Sequence, residues 1–177
     1  MIPDGYLLSS EPEWLARFAS GLPERATMIE LGTYKGKSAY YLGKGIQQVN
    51  GTLITVDIHL DYMNSDKFIG DHYIRSCYSN NLLGTIIPII GDFYEVRKFF
   101  NMPIDALFID GLHEYENVKK DFEEWSPLIK VGGFVLFHDV HNGFPGIQRF
   151  VGDIAQLKND WENAGGSNSI KCFKKLR

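Results

Sequence analysis

Acids, histidines and glycines gather at a few places in this 177-residue chain, in an order that suggests a ligand site. The first is Met28–Ser38, MIELGTYKGKS, where Glu30 precedes Gly32 and Gly36. Asp57 and Ile58 follow in VDIH, then Gly91, Asp92 and Phe93 in IIGDF, then Asp110 and His113 in DGLHEY, then His138 and Asp139 in FHDV. Carboxylates hold hydroxyls and cations, and histidines move protons near neutral pH. A glycine turn lets backbone approach a bound molecule closely. Together these residues predict a cofactor cradle beside groups able to do acid–base or metal chemistry.

The elements that must carry them alternate between strand and helix patterns. Strands are expected at Met28–Leu31, Thr52–Asp57, Thr85–Ile90, Asp105–Asp110, Phe134–His138 and Ser169–Leu176. Pro88 marks the third as an edge or irregular strand. Helices are expected at Ser38–Lys44, Asp66–Leu83, Asp92–Phe100 and Tyr115–Leu128, and one opens at Pro145 with the stripe Ile147, Phe150, Val151, Ile154, Leu157. Ser10 and Glu13 read as a capping box for a first helix that Gly21 and Pro23 end. Such alternation implies right-handed crossovers and a mostly parallel sheet, with ligands beyond the carboxyl ends of its strands. Nearly every residue singled out above falls at such an end.

Bulk properties exclude some classes. Hydrophobic residues make up 44% and charged residues 23%, as in an ordinary globular domain. The net charge of −4 gives no footprint for nucleic acid. The amino terminus lacks the pattern of a signal peptide, and no apolar run approaches a membrane span. Cys77 and Cys172 match no metal or redox spacing and read as free thiols. A cytoplasmic single domain over residues 1–177 is expected, with residues 1–24 as a helical extension. A homodimer through that extension or through exposed aromatics is compatible with the pattern.

Three ligands compete for the glycine loop. A dinucleotide needs a second glycine where Tyr34 stands. A P-loop needs one more residue between the glycines, although Gly36-Lys37-Ser38 is intact. S-adenosylmethionine has no phosphate and carries an ammonium, which suits an acid at Glu30. Asp57 suits ribose hydroxyls, and Asp92 with Phe93 can flank adenine.

The segments ELGTYKGKS, VDIH, IIGDF and LFIDGLHEYENVKKDFEEWSPLIKVGGFVLFHDV, in that order, resemble a class I S-adenosylmethionine-dependent methyltransferase. The Asp110–Asp121 segment is similar to the branch that includes cephalosporin hydroxylase-like and macrolide sugar O-methyltransferase-like proteins, the methyltransferase domain 24 type. The resemblance covers roughly residues 26–176. It implies an α/β, Rossmann-like, doubly wound and mostly parallel seven-stranded sheet with an antiparallel final strand and helices on both faces. Little chain remains for the usual sixth strand, which must be short or lie near Asp160–Asn163. The implied cofactor contacts are Glu30, Gly32, Thr33, Tyr34, Gly36, Ser38, Asp57, Ile58, Gly91, Asp92, Phe93 and Asp110.

Methyl transfer to a hydroxyl needs a base or a metal to take charge of the proton. His113 is the base candidate, with Asp110 beside it. Some relatives hold a divalent metal at positions matching Asp110, His138 and Asp139; the same three residues could instead cap helices and hold loop backbone. His141 is a second base candidate, whereas His59 and His72 read as surface residues or as rim of the acceptor pocket. Methylation of a small molecule, at oxygen, is the expectation. The alternatives are a cofactor-binding or regulatory module without activity and a P-loop-like nucleotide hydrolase.

Overall fold

The computed structural model describes residues 2–61 and 67–177. Seven strands form one sheet in the order β5-β2-β1-β6-β7-β9-β8. They are β1 (Thr27–Leu31), β2 (Thr52–Asp57), β5 (Ile86–Ile90), β6 (Ile104–Ile109), β7 (Ile129–Phe137), β8 (Trp161–Ser167) and β9 (Ile170–Lys175). β1 pairs in parallel with β2 and β6, β2 with β5, and β6 with β7; β9 runs antiparallel to both β7 and β8. The chain winds outward from β1 to β5 on one side and then restarts at β6 on the other. The crevice of the switch point therefore lies between β1 and β6. β5 is an edge strand, so Pro88 removes no interior ladder bond.

Helices cover both faces because the central strands are apolar on both. On β1, Met28 faces one core and Ile29 and Leu31 face the other. The first core packs α1 (Glu11–Ser20), α2 (Lys37–Ile46) and α3 (Gly70–Ser79) through Leu15, Ala19, Leu42, Ile46, Tyr73 and Cys77. The second packs α4 (Phe93–Arg97), α5 (Tyr115–Trp125) and α6 (Pro145–Ile154) through Val96, Val118, Phe122, Trp125, Ile147, Phe150 and Ile154. Among the described residues, no helix is long and apolar enough to cross a membrane.

Several local expectations change. The helix expected over Asp66–Leu83 begins only at Gly70. A short antiparallel pair, β3 (Leu60–Asp61) and β4 (Lys67–Phe68), takes its early part, and Asp66 lies outside the described residues. It ends at Ser79 because Asn81 turns the chain with φ of 56°. α4 stops at Arg97, whose guanidinium wraps onto the Phe100 carbonyl at 2.7 Å. β7 starts at Ile129, because a register shift between Ile104 and Ala106 of β6 absorbs the glycines at 132 and 133. The sixth strand of the sheet in chain order, β8, does lie near Asp160–Asn163 but runs on to Ser167, and it joins β9 through a turn at Asn168. The capping box does not form. Ser10 Oγ meets Ser167 Oγ at 2.7 Å, and α1 has no side-chain cap.

Candidate active site

The loop after β1 is held from three directions. Gly32 has φ of 87°, and a Cβ there would stand 2.1 Å from the Asp110 carbonyl oxygen, so only glycine lets β1 and β6 end side by side. Gly36, with φ of 94°, passes against the Tyr73 ring and caps α2. Asp57 Oδ2 accepts the Thr33 and Tyr34 amides at 2.6 and 2.7 Å. His59 Nδ1 meets the Tyr34 carbonyl at 2.9 Å. These bonds keep Tyr34 at φ of 49°, a left-handed conformation that costs a non-glycine residue about 1–2 kcal/mol. His59 is therefore buried, stacked on Tyr73 at 5.1 Å, and not the surface residue expected. His72 is exposed, as expected.

Two cavities meet at this loop. The larger, 540 Å³, is lined by Ile58, Asp92, Phe93, Tyr94, Leu112, Asn117 and Asp121 among others. The smaller, 240 Å³, is lined by Gly5, Tyr6, Thr33, Lys37, Ser38, His113, His138 and Asp139 among others. Gly32, Tyr34, Asp57, Leu60 and Asp110 belong to both walls, so the two form one groove along the strand ends. Its size is that of an ordinary small-molecule site.

Of the residues expected to touch a cofactor, Gly32, Thr33, Tyr34, Ser38, Asp57, Ile58, Asp92, Phe93 and Asp110 line the groove. Glu30, Gly36 and Gly91 stand behind the lining. Gly91 donates its amide to the Asp57 carbonyl at 3.0 Å. Glu30 is fully buried; its Oε2 accepts from Thr33 Oγ1 at 3.0 Å, and Oε1 has no hydrogen-bond partner. Burial raises its pKa to about 8, with Asp110 and Asp57 adding to the rise and the Ser38 and Thr33 hydroxyls opposing it. Asp92 caps α4, its Oδ1 accepting the Tyr94 and Glu95 amides at 2.9 and 3.1 Å.

At the other end, His113, His138 and Asp139 converge with Asp110. His113 Nε2 lies 3.1 Å from Asp139 Oδ2, in an ion-pair contact not aligned as a hydrogen bond. The His113 ring stacks on Phe144 at 4.2 Å. His141 is farther, 3.6 Å from Asp139 Oδ1. His138 has carboxylates at both ring nitrogens: Asp110 Oδ1 3.0 Å from Nδ1, and Glu11 Oε2 3.1 Å from Nε2. Burial favours the neutral ring, but Asp110, Asp139 and Glu11 outweigh it and raise its pKa to about 12. Burial opposes ionisation of Asp139, yet the two histidines bring its pKa below the usual carboxylate range. Burial raises that of Asp110 despite His138.

This arrangement alters the expected metal set. His138 has a carboxylate against each of its ring nitrogens. The ligand atoms that lie within 4.8 Å of one another come from Asp110, His113 and Asp139. Tyr6 and Lys37 line the small cavity and Glu11 stands behind it against His138, and nothing local in the sequence marks any of the three. Asp121 was more legible, as the final acid of the Asp110–Asp121 segment. It is buried in the wall of the larger cavity, with the Tyr94 hydroxyl donating to Oδ1 at 2.9 Å. Burial raises its pKa to about 6.

Residues 29–140 match a family model described as a methyltransferase domain. The chain belongs to the methyltransferase domain family. Its class I, S-adenosylmethionine-dependent type agrees with the strand order and the groove at the switch point. The nucleotide-hydrolase alternative falls with that result. The amides of Thr33 and Tyr34 also point at Asp57, so the loop forms no anion nest.

The methyltransferase domain is 27% identical over 148 residues to an uncharacterised protein of Sinorhizobium fredii (strain NBRC 101917 / NGR234), covering 74% of this chain and 15% of that protein. It is 26% identical over 140 residues to an uncharacterised protein of Acanthamoeba polyphaga mimivirus, covering 72% and 60%. The chain thus spans only part of either relative. Among solved structures, it superposes on an O-methyltransferase from Bacillus cereus in complex with S-adenosylhomocysteine (SAH), with TM-score 0.71, 19% identity, and coverage of 98% and 84%. It also superposes on an SAH-bound Podospora anserina methyltransferase, with TM-score 0.69, 13% identity, and coverage of 94% and 78%. An rRNA methylase from Streptococcus thermophilus gives TM-score 0.68 at 11% identity, covering 97% and 100%.

Proposed function

We propose that this methyltransferase domain moves the methyl group of S-adenosylmethionine to an oxygen of a small molecule. The observation that carries the reading is one groove with two chemically different ends. Phe93, Ile58 and Asp92 offer an apolar and carboxylate-bearing seat for adenine in the larger cavity. Asp57 would share its carboxylate between the loop amides and the ribose hydroxyls. Thr33 and Ser38 present the methionine end to the small cavity, with Glu30 behind them. A donor seated in this way would turn its methyl group toward the wall that holds Asp110, His113 and Asp139. The solved structures of a Bacillus cereus O-methyltransferase and a Podospora anserina methyltransferase, both with SAH, support the choice of donor.

Because the sulfonium is already activated, holding the acceptor in line with the methyl group supplies much of the rate. His113 is the group placed to accept the acceptor's proton. Asp139 beside it, held ionised, stabilises the imidazolium that forms. A second reading is favoured by the Asp110, His113 and Asp139 cluster, since a buried histidine nitrogen without an aligned partner beside two carboxylates fits a divalent cation. A cation there would lower the pKa of the acceptor hydroxyl. One nitrogen with carboxylate oxygens suits manganese, iron or zinc better than magnesium.

Calorimetry with SAH tests the donor reading: micromolar binding is expected, and absence of binding would sink it. A screen of hydroxylated acceptors with methyl-labelled donor tests the transfer. Tight SAH binding with no transfer to any small acceptor or RNA would favour the binding-module alternative. Titration of the protein with Mn²⁺ separates the two routes, because the metal-free route predicts no binding.

A further inference from the structure

The amino-terminal segment enters the site through one buried carboxylate. Glu11 opens α1, where a glutamate ordinarily faces solvent and the free helix amides. Here it turns inward and has 0% exposure. Its Oε1 accepts from the Ser169 amide at 2.9 Å and the Ser169 hydroxyl at 2.7 Å. Its Oε2 accepts from the Leu8 amide at 2.6 Å and lies 3.1 Å from His138 Nε2. The other ring nitrogen of His138 lies 3.0 Å from Asp110 Oδ1 and 3.3 Å from Asp139 Oδ2. An imidazole flanked in this way donates from both nitrogens, and its plane is set by the carboxylates at its two ends. The Phe108 ring, 6.0 Å away and nearly perpendicular, closes a third side.

Burying such a chain of charged groups is costly, and an apolar filling would serve stability as well or better. What the chain achieves is orientation. Asp110 borders both cavities of the groove, and one of its oxygens is held by His138. The segment that Glu11 fastens through Leu8 also brings Gly5 and Tyr6 into the small cavity.

We propose that Glu11 is a positioning residue of this site. It holds His138, and through that ring the Asp110 carboxylate, in the orientation that faces the groove; the proposal rests on the methyl-donor reading above. Glu11→Gln keeps the side chain's size but turns one oxygen into an N–H donor, which cannot accept from both Ser169 and His138. Ser169→Ala is the control, since it removes the hydroxyl bond to Oε1 and leaves the His138 contact in place.

The experiment is SAH calorimetry on the full chain and both variants, with nitrogen-15 spectra of the histidine rings and thermal melts. Wild type should show two ring N–H signals for His138. Glu11→Gln should melt cooperatively, lose or shift the Nε2–H signal, and bind SAH about tenfold more weakly. Ser169→Ala should keep both signals and an SAH affinity within about twofold of wild type. Equal weakening in the two variants overturns the proposal, as does unchanged affinity with unchanged ring signals in Glu11→Gln. If wild type binds no SAH, the donor reading fails first. The ring signals then decide alone: unchanged in Glu11→Gln they overturn the positioning role, and loss of Nε2–H supports it. Should Glu11→Gln not fold, Glu11→Asp takes its place, because it keeps the charge and shortens the reach.

Discussion

Glu30 offers a direct test of the buried electrostatics, through the substitution Glu30→Gln. Its pKa rises from 4.5 to about 8 on folding, mainly by burial. Below 4.5 both folded and unfolded chains carry the proton, and above 8 neither does, so Glu30 adds no slope in either region. Between them the folded chain keeps a proton that the unfolded chain has lost. Stability therefore falls as pH rises, by about 1.4 kcal/mol per unit. From about pH 5 to about pH 7.5 the fall amounts to roughly 3 kcal/mol. Glutamine cannot ionise, and it keeps an oxygen for the Thr33 hydroxyl. The variant should thus gain on wild type by roughly 3 kcal/mol across that window, with its advantage greatest at the alkaline end. Asp121 titrates with the same sign at lower pH, but it is common to both proteins and cancels in the difference. Urea unfolding at a series of pH values measures that difference. Parallel stability curves for the two proteins would show that Glu30 is not held neutral, and the reasoning from its burial would be refuted.

Other outcomes follow from the same geometry. Gly32→Ala drives a methyl group to 2.1 Å from the Asp110 carbonyl oxygen, and a loss above about 3 kcal/mol together with loss of SAH binding is expected by urea unfolding and calorimetry. Asp57→Asn replaces an acceptor of the Thr33 and Tyr34 amides with a donor group or leaves one amide unpaired; thermal melts should show a loss of about 1–3 kcal/mol, and SAH affinity should drop at least tenfold. Tyr94→Phe removes the donor to Asp121 and should cost about 1 kcal/mol in chemical denaturation, more above the Asp121 pKa of about 6 than below it. If the cation reading holds, Asp139→Asn lowers Mn²⁺ affinity about tenfold or more by calorimetry while SAH affinity changes only a few-fold.

Much of the fold is visible in the chain because both of its periodicities are strong. The apolar run DALFID becomes a strand buried on both faces, and the Ile147, Phe150, Val151 and Ile154 stripe becomes the inner face of α6. Leu157 falls outside that helix and is half exposed, since the chain has already turned toward β8. Failures occur where a local signal competed with a distant contact. Ser10 and Glu13 have the spacing of a capping box, yet Ser10 bonds across to Ser167, and Asn168 donates to it at 2.6 Å. His59 looks like a loop residue by position. Its burial depends on Tyr73, a residue on α3.

For the site, the sequence alone determined which ends of which strands carry polar chemistry. That follows from one local rule: in a parallel sheet, residues just past the strands all emerge at one edge. Gly32, Asp57, Asp92, Asp110 and His113 could be named in this way before any packing was known. The tertiary structure alone decided how they divide their work. Asp57 spends its carboxylate on the glycine loop, Glu30 stands behind the wall as a largely neutral acid, and His138 turns away from the metal set to bridge Glu11 and Asp110. Each of these outcomes depends on a partner far off in sequence. The Glu11–His138 contact spans 127 positions, and burial and charge pairing at that range act only once the sheet has brought the two together.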